Sequence, residues 1–243
     1  VAPLATPAPA ALLPSAPDRD LYQLTAELTL LAAENVPRVV NPDPVAYVEG
    51  QHDTFWLIDL EDLRRYTSSF ELRLVTPHAY WYFEEGQSVR QGDIEEAAAV
   101  FEEEIYPLVT TAFGNEWTPG VDNDPHLNIL NARLSGVGGY FSGSDEYPRS
   151  VNQFSNQREV IYVNSESISV GATAYSNVLA HELQHAVHWN ADLSEDQWVN
   201  EGLSELAATI AGFDQGGGVI EFGSRPVSLV NWPLSTFPSG ASY

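Results

Sequence analysis

The chain has 243 residues, with 34 acidic against 10 basic side chains and a formal net charge of −24. Such a charge repels phosphate backbones and anionic membrane surfaces, which argues against nucleic acid as a partner. The absence of cysteine excludes disulfides, thiolate metal sites and a cysteine nucleophile. No run of about 20 apolar residues occurs, so no membrane span is predicted.

Residues 1–18 are rich in alanine and proline and predict a flexible arm, either an inert leader or a propeptide remnant. Residues 19–243 are then expected to form one domain, with a sheet-containing lobe over 19–170 and a helical portion over 171–243. The chain has no methionine, not even an initiator, which favours a processed start. A removed signal peptide would make the protein extracellular, either secreted or at the cell surface.

The first half predicts a helix over 19–35, followed by segments rich in aromatic and β-branched residues. These segments, expected to be strands or strands alternating with helices, lie at 45–49, 54–60, 70–76 and 79–84. A capping box from Asp93 to Glu96 predicts a helix that runs to about Tyr106. Its inward residues would be Ile94, Ala97, Phe101 and Ile105.

The middle of the chain predicts two strands, at 126–134 and 160–163. Between them a glycine-rich loop at 136–144 carries aromatic residues and could border a cleft. The run Asp122-Asn123-Asp124 fits either part of a calcium site, which needs several oxygen ligands, or an Asx turn.

The motif that says most about function is His181-Glu182-Leu183-Gln184-His185. Two imidazoles at i and i+4 lie one helical turn apart and can reach a single metal ion, with Glu182 placed to take the proton of an activated water. A catalytic zinc site normally uses three protein ligands, and Glu201 is the best candidate for the third. His188 lies about 10 Å from His181 along the helix axis, which is too far to bind the same metal ion. It is expected to pack beside the site.

A second helix, with a capping box at Ser194 and Gln197, is predicted to carry Glu201 and to stop near Gly212. Glu205 would lie one turn after Glu201. Two glutamates at i and i+4 repel one another on an isolated helix, and a bound cation removes that repulsion. The apolar residues of this helix are expected on the face opposite the glutamates: Val199, Leu203, Leu206 and Ile210.

Together, the 181–185 motif and Asn200-Glu201-Gly202 resemble the gluzincin metallopeptidases, and look most like hyicolysin-type and immune-inhibitor-A-like secreted bacterial proteases. The resemblance is specific over 173–212. It implies an α+β zincin (thermolysin-like) fold in which a mixed sheet packs on the zinc helix and a helical portion follows. It further implies that Glu205 orients a ligating histidine, and that an edge strand of the sheet, at 126–134 or 160–163, pairs with extended substrate. The chain departs from the pattern in its short spacing of fifteen residues, 186–200, between His185 and Glu201.

The resemblance also implies a downstream donor that stabilises the oxyanion. Tyr243 is the only tyrosine after Glu201, so the donor is expected to be Tyr243, an upstream residue such as Tyr175, or a residue of a C-terminal remainder of the same precursor. Relatives carry a further helical subdomain at this point, so the chain is expected to be truncated at its C-terminus.

These observations predict a zinc endopeptidase with a polypeptide substrate. The alternative is a structural or adhesive cell-surface protein in which a peptidase-like domain keeps its zinc for folding. An exopeptidase is disfavoured, because no segment supplies the acidic anchor that holds the amine of an aminopeptidase substrate.

Overall fold

A computed structural model describes residues 21–29, 36–43, 45–192 and 195–213. The predicted arm at 1–18, the capping residue Ser194 and Tyr243 lie outside the described residues. Twelve elements follow one another in the described part. They are α1 (Leu21–Thr29), β1 (His52–Asp59), β2 (Arg64–Val75), β3 (Ala79–Glu84), α2 (Gln91–Val100), a π-helical segment (Phe101–Ile105), α3 (Tyr106–Phe113), β4 (Leu127–Ala132), β5 (Gly139–Phe141), β6 (Val160–Asn164), α4 (Thr173–Ala191) and α5 (Gln197–Ile210).

The strands form one mixed sheet in the order β1-β2-β3-β4-β6-β5. The pairs β3–β4 and β4–β6 are parallel, whereas β1–β2, β2–β3 and β5–β6 are antiparallel. The α+β class is therefore confirmed. The segment at 45–49 forms no strand.

The expected edge strand was assigned wrongly. The predicted strands at 126–134 and 160–163 correspond to β4 and β6, which lie inside the sheet. Every residue of both strands is buried, as expected of parallel strands that are covered on both faces. The edge strands of the described sheet are β1 and β5, and β5 consists of three residues of the glycine-rich loop.

Helices cover one face of the sheet and form the larger core. Leu179 and Leu183 of α4 pack there with Trp81 of β3 and Ile161 of β6, all fully buried. On the other face, aromatic residues of β1, β2 and β3 form a second apolar cluster. Helix α4 follows β6 and packs on the sheet with one side. It also contacts β5 and α5, and the candidate site lies where these elements meet.

The helix predicted from Asp93 begins earlier and ends later than expected. It starts at Gln91 after Arg90, which makes no side-chain capping bond, so the capping box is wrong. The helical backbone continues through the π-helical segment to Phe113. Its predicted inward residues are nevertheless all buried: Ile94, Ala97, Phe101 and Ile105.

Helix α5 packs against α4 through small residues, contrary to the predicted apolar face. Its buried positions are Ser204, Ala207 and Ala208, while Leu206 and Ile210 are exposed. Small side chains let two helices approach closely, and here that approach brings Glu201 to the histidines of α4. Within the part of the chain that the structure describes, no helix is both long and apolar enough to cross a membrane.

Candidate metal centre

Helices α4 and α5 bring His181, His185 and Glu201 into one group. The Nε2 atoms of the two histidines are 3.1 Å apart. Glu201 Oε2 lies 3.4 Å from Nε2 of His181 and 3.6 Å from Nε2 of His185. Two tetrahedral ligands, each 2.0–2.1 Å from one metal ion, are separated by about 3.3–3.4 Å. The three atoms therefore fit the ligand positions around a single ion, as the sequence predicted.

This group places opposite charges a short distance apart. Burial alone lowers the pKa of His181, but the carboxylates of Glu201 and Glu205 outweigh it and raise that pKa to about 10. Burial also lowers the pKa of His185, but Glu201 and Glu182 together outweigh it and raise that pKa. Burial raises the pKa of Glu201, yet the two imidazoles lower it to about 2. The two imidazoles and the carboxylate thus stabilise one another's charged forms.

Two polar residues of α5 hold the outer nitrogen of His185. Asn200 Oδ1 and Ser204 Oγ each lie 3.1 Å from His185 Nδ1. Ser204 donates its hydroxyl proton to Gln184 Oε1 at 2.6 Å, which leaves the oxygen free to accept from the imidazole. With Nε2 turned toward the other ligands, Nδ1 carries the proton, and these contacts fix the tautomer and the ring orientation.

Sequence reasoning missed the supporting roles of Asn200 and Ser204. The available signal was their spacing of four residues, which places them on one face of α5 beside Glu201. Glu205 does lie beside the other histidine, with Oε1 3.4 Å from His181 Nδ1. Its side chain is 40% exposed, so water weakens this contact.

Glu182 is buried on the same helix, with only 6% of its surface exposed. Burial raises the pKa of its carboxyl group, and His181 and His185, followed by the backbone of Phe141 in β5, partly oppose the shift. The backbone of β5 passes close to it at Gly139. A Cβ at that position would lie 2.5 Å from Val178 Cγ1 and 2.7 Å from the carbonyl oxygen of Tyr162. Only glycine allows this approach.

A cavity of about 380 Å³ opens onto the group. Its walls include the three candidate ligands, Glu182, part of the glycine-rich loop and the end of β1. The loop at 136–144 therefore borders a cleft, as predicted. Residues that line the cavity from the loop are Val137, Gly138, Gly139, Tyr140, Phe141, Ser142 and Ser144.

Two further candidates lie away from the ligand atoms. His188 is 8% exposed and borders a smaller cavity of about 220 Å³ beside His185. It packs next to the site, as expected, and its Nε2 has no hydrogen-bond partner in the part of the chain that the structure describes. Tyr175 is fully buried in the core, and its hydroxyl donates to Asn131 Oδ1 at 2.7 Å. Tyr175, one of the three alternatives for the oxyanion donor, therefore lies in the core and not on the wall of the cavity.

The Asp122-Asn123-Asp124 run forms a local turn. The backbone amide of Asp124 donates to Asp122 Oδ1 at 3.0 Å, which is the bond of an Asx turn. The carboxylate of Asp124 accepts from the hydroxyl of Tyr80 at 2.9 Å and contacts the ring of His126. Asp124 is thus occupied by protein groups, while Asp122 Oδ2 has no partner among the described residues other than a neighbouring carboxyl group.

No protein-family model matches the chain, and no curated protein does. The site combines two imidazoles and one carboxylate, whose ligand atoms lie close together, with a buried carboxylate on the wall of the same cavity. Such a group could hold a metal ion.

Proposed function

We propose that the chain is an extracellular zinc endopeptidase of zincin fold, which hydrolyses peptide bonds in polypeptide substrates. The observation that carries the proposal is the triangle of ligand atoms in His181, His185 and Glu201, with sides of 3.1, 3.4 and 3.6 Å. Local resemblance of the 181–185 and 200–202 segments to gluzincin peptidases supports the same conclusion.

The ligand set favours zinc. Two imidazoles and one carboxylate match a common composition of catalytic zinc sites, in which the fourth position stays open. Calcium and magnesium prefer oxygen ligands alone. When bound, zinc would act as a Lewis acid and make water a nucleophile near neutral pH.

Glu182 is the residue proposed to move the proton. It takes the proton from the attacking water and passes it to the departing amine of the peptide. Its burial on the cavity wall suits this role, because the raised pKa brings the carboxyl group closer to neutral pH than an exposed glutamate. Asn200 and Ser204 act only as positioning residues, through His185.

Strand β5 is proposed to hold the substrate. It is one of the two edge strands of the described sheet, it pairs with β6 alone, and its residues line the cavity beside Glu182. An extended peptide could add to it by backbone hydrogen bonds. This arrangement would place a peptide carbonyl near the candidate metal group, because the cavity includes both.

The test compares zinc content and casein cleavage in the parent chain, Glu182→Gln and the control Glu166→Gln. The control changes a glutamate that is 66% exposed and has no contact with the cavity. We expect one zinc per chain in all three proteins and a loss of activity of about 10²–10⁴-fold in Glu182→Gln alone.

Two other outcomes would contradict the proposal. Stoichiometric zinc without casein cleavage by the parent would favour a zinc-stabilised structural or adhesive protein over an enzyme. A parent that binds no zinc in chelator-free buffer would remove the metal assignment itself.

A further inference from the structure

The larger cavity, which opens onto the candidate metal group, has an arginine on its wall. Arg65 of β2 is paired with Ile58 of β1, and opposite residues of an antiparallel pair carry their side chains on the same face of the sheet. Both residues line the cavity, together with Leu60 directly after β1. Among the described residues, no other arginine lines it. Arg65 therefore gives a positive charge to the part of the cavity that the β1–β2 hairpin forms.

The guanidinium of Arg65 is held against an aromatic ring. Its Cζ lies 4.9 Å from the centre of the Phe154 ring, and that ring lies edge-to-face with the ring of Trp56 at 5.1 Å. The face of an aromatic ring attracts a cation but offers it no conventional hydrogen-bond acceptor. A guanidinium has five N–H donors. The aromatic contact thus stabilises the position of Arg65 and leaves its N–H donors for a ligand.

No carboxylate of the described residues forms an ion pair with Arg65. Arg90, Arg133 and Arg158 differ in this respect, because each of them has an acidic side chain within ion-pair distance. In the described chain, the positive charge on the cavity wall is thus left without a carboxylate partner. A carboxylate of a bound molecule can take that place, since a guanidinium and a carboxylate form charge-assisted hydrogen bonds.

Asp145 is close enough to Arg65 to be influenced by its charge, but it does not occupy the guanidinium. Its Oδ1 accepts from the backbone amide of Asn156 and its Oδ2 from the hydroxyl of Tyr162, both at 2.7 Å. Burial raises the pKa of Asp145 to about 7, and the opposing effect of Arg65 is smaller than those of the two hydrogen bonds. The N–H donors of Arg65 are therefore not used by this carboxyl group.

Strand β5 borders the cavity between the hairpin and the candidate metal group. The backbone amide of Ile58 donates to the hydroxyl of Tyr140 at 3.2 Å, which ties β5 to the end of β1. Tyr140 and Phe141 of β5 line the same cavity as Arg65 and Glu182. An extended peptide paired with β5 would therefore have side chains on the part of the cavity wall that Arg65 supplies.

The smaller cavity beside His185 has the opposite charge. Asp192 and Glu195 line it, and it shares Phe141 and His185 with the larger cavity. Among the described residues, no arginine lines the smaller cavity. A carboxylate of a bound peptide would be repelled by these acidic side chains and attracted by Arg65, so the two cavities differ in the substrate charge that they favour.

On the basis of the proposed peptidase function, we propose that Arg65 binds a carboxylate group of the peptide substrate. The cavity then selects peptides with an acidic residue near the bond that is cleaved. A guanidinium donates to both oxygens of a carboxylate in one plane, which the uncharged amide of glutamine cannot match. The net charge of −24 does not prevent this selection, because charges beyond about 8–10 Å are largely screened at physiological ionic strength. A C-terminal carboxylate offers the same chemistry, so the test separates the two sources.

The test measures the binding of fluorescent peptides to the zinc-loaded Glu182→Gln chain by anisotropy, so that no hydrolysis is needed. The peptides carry Glu or Gln at one position, which is moved along the peptide, and each is made with a free C-terminus and as an amide. If a side chain is the source, the Glu peptide should bind about three- to fivefold more tightly than the Gln peptide in both forms. If the terminus is the source, the free form should bind more tightly than the amide by the same factor. Equal binding of all four peptides at every position would overturn the proposal.

Substitution of Arg65 in the same Glu182→Gln background identifies the responsible residue. Arg65→Gln is expected to abolish the preference and Arg65→Glu to reverse it. Arg64→Gln is the matched control, because Arg64 is the neighbouring exposed arginine, contacts the ring of Tyr66 and does not line the cavity. An Arg65→Gln chain that keeps the preference would refute the role of Arg65.

Salt dependence tests the same point without a change at Arg65. At 1 M sodium chloride the Debye length is about 3 Å, so we expect the preference for the carboxylate to disappear. A preference that salt leaves unchanged would not be electrostatic and would overturn the proposal.

Casein cleavage by the parent chain distinguishes this proposal from the proposed function. A parent that cleaves casein, combined with equal peptide binding, would refute only the role of Arg65. Preferential binding of the carboxylate without casein cleavage would refute only the proposed enzyme. Peptides that do not bind at all would overturn the role of Arg65 whatever the result with casein.

Discussion

Replacement of Asn200 by alanine tests how the candidate zinc ligands are held. The change removes one of the two acceptors that lie 3.1 Å from His185 Nδ1 and leaves the three ligands in place. Loss of such an outer contact typically weakens metal binding by about 10–100-fold. Ser204 Oγ lies at the same distance and can still accept the imidazole proton. We therefore expect the lower value, about tenfold, or about 1.4 kcal/mol of binding free energy.

The combined change Asn200→Ala with Ser204→Ala removes both acceptors and is expected to reach about 100-fold. Zinc affinity would be measured by competition with a chromophoric chelator, so the readout does not depend on catalysis. Asn190→Ala is the matched control, because Asn190 lies on α4 but bonds the carbonyl of Asn115 at 3.0 Å, away from the ligands.

The reasoning would be refuted by a double variant that binds zinc within about twofold of the parent while folding normally. In that case the tautomer of His185 would not be set by these two side chains. An equal loss in Asn190→Ala would instead indicate a general destabilisation of α4, and would equally remove the specific role assigned to Asn200.

Three further changes give distinct expected outcomes. Tyr175→Phe leaves Asn131 Oδ1 without its donor and should lower the free energy of unfolding by about 1–3 kcal/mol. Zinc content and casein cleavage per folded molecule should stay unchanged. A selective loss of cleavage would indicate a catalytic role for this tyrosine. Gly139→Ala brings a Cβ within 2.7 Å of the carbonyl of Tyr162 and should destabilise by about 1–3 kcal/mol, so an unchanged Tm would contradict the close approach of β5. Glu205→Gln should weaken zinc binding in the competition assay by about tenfold at most, since the carboxylate is partly exposed; a loss as large as that of a ligand variant would make it a ligand.

The candidate metal group could be predicted because its information is local. The spacing of His181 and His185 fixes their relative position once a helix forms, and the structure has that helix from Thr173 to Ala191. The prediction of Glu201 as the third ligand required only that a second helix packs on the first. The packing face of that helix was nevertheless wrong, because small residues such as Ala207 and Ala208 carry little hydrophobic signal although they make the close contact.

The edge strand and the acidic group, formed by the buried side chains of Asp122, Glu146 and Glu159, could not be predicted because they depend on strand order. Strand β5 is three residues long and begins at a glycine, so no alternating pattern marks it. The fully buried runs of β4 and β6 did carry a signal for interior parallel strands, which the interpretation as edges overlooked. Glu146 and Glu159 meet Asp122 only through the folded sheet, and no short motif joins them.

The two buried groups differ in what balances their negative charge. Glu201 has two imidazoles within 3.6 Å, so the protein itself offers it positively charged partners. Glu146 and Glu159 face one another and other carboxylates, with no basic side chain bonded to either in the described part of the chain. Burial raises the pKa of Glu146 and Glu159, so protons shared between their carboxyl groups can balance the acidic group, whereas two imidazoles balance the charge of Glu201.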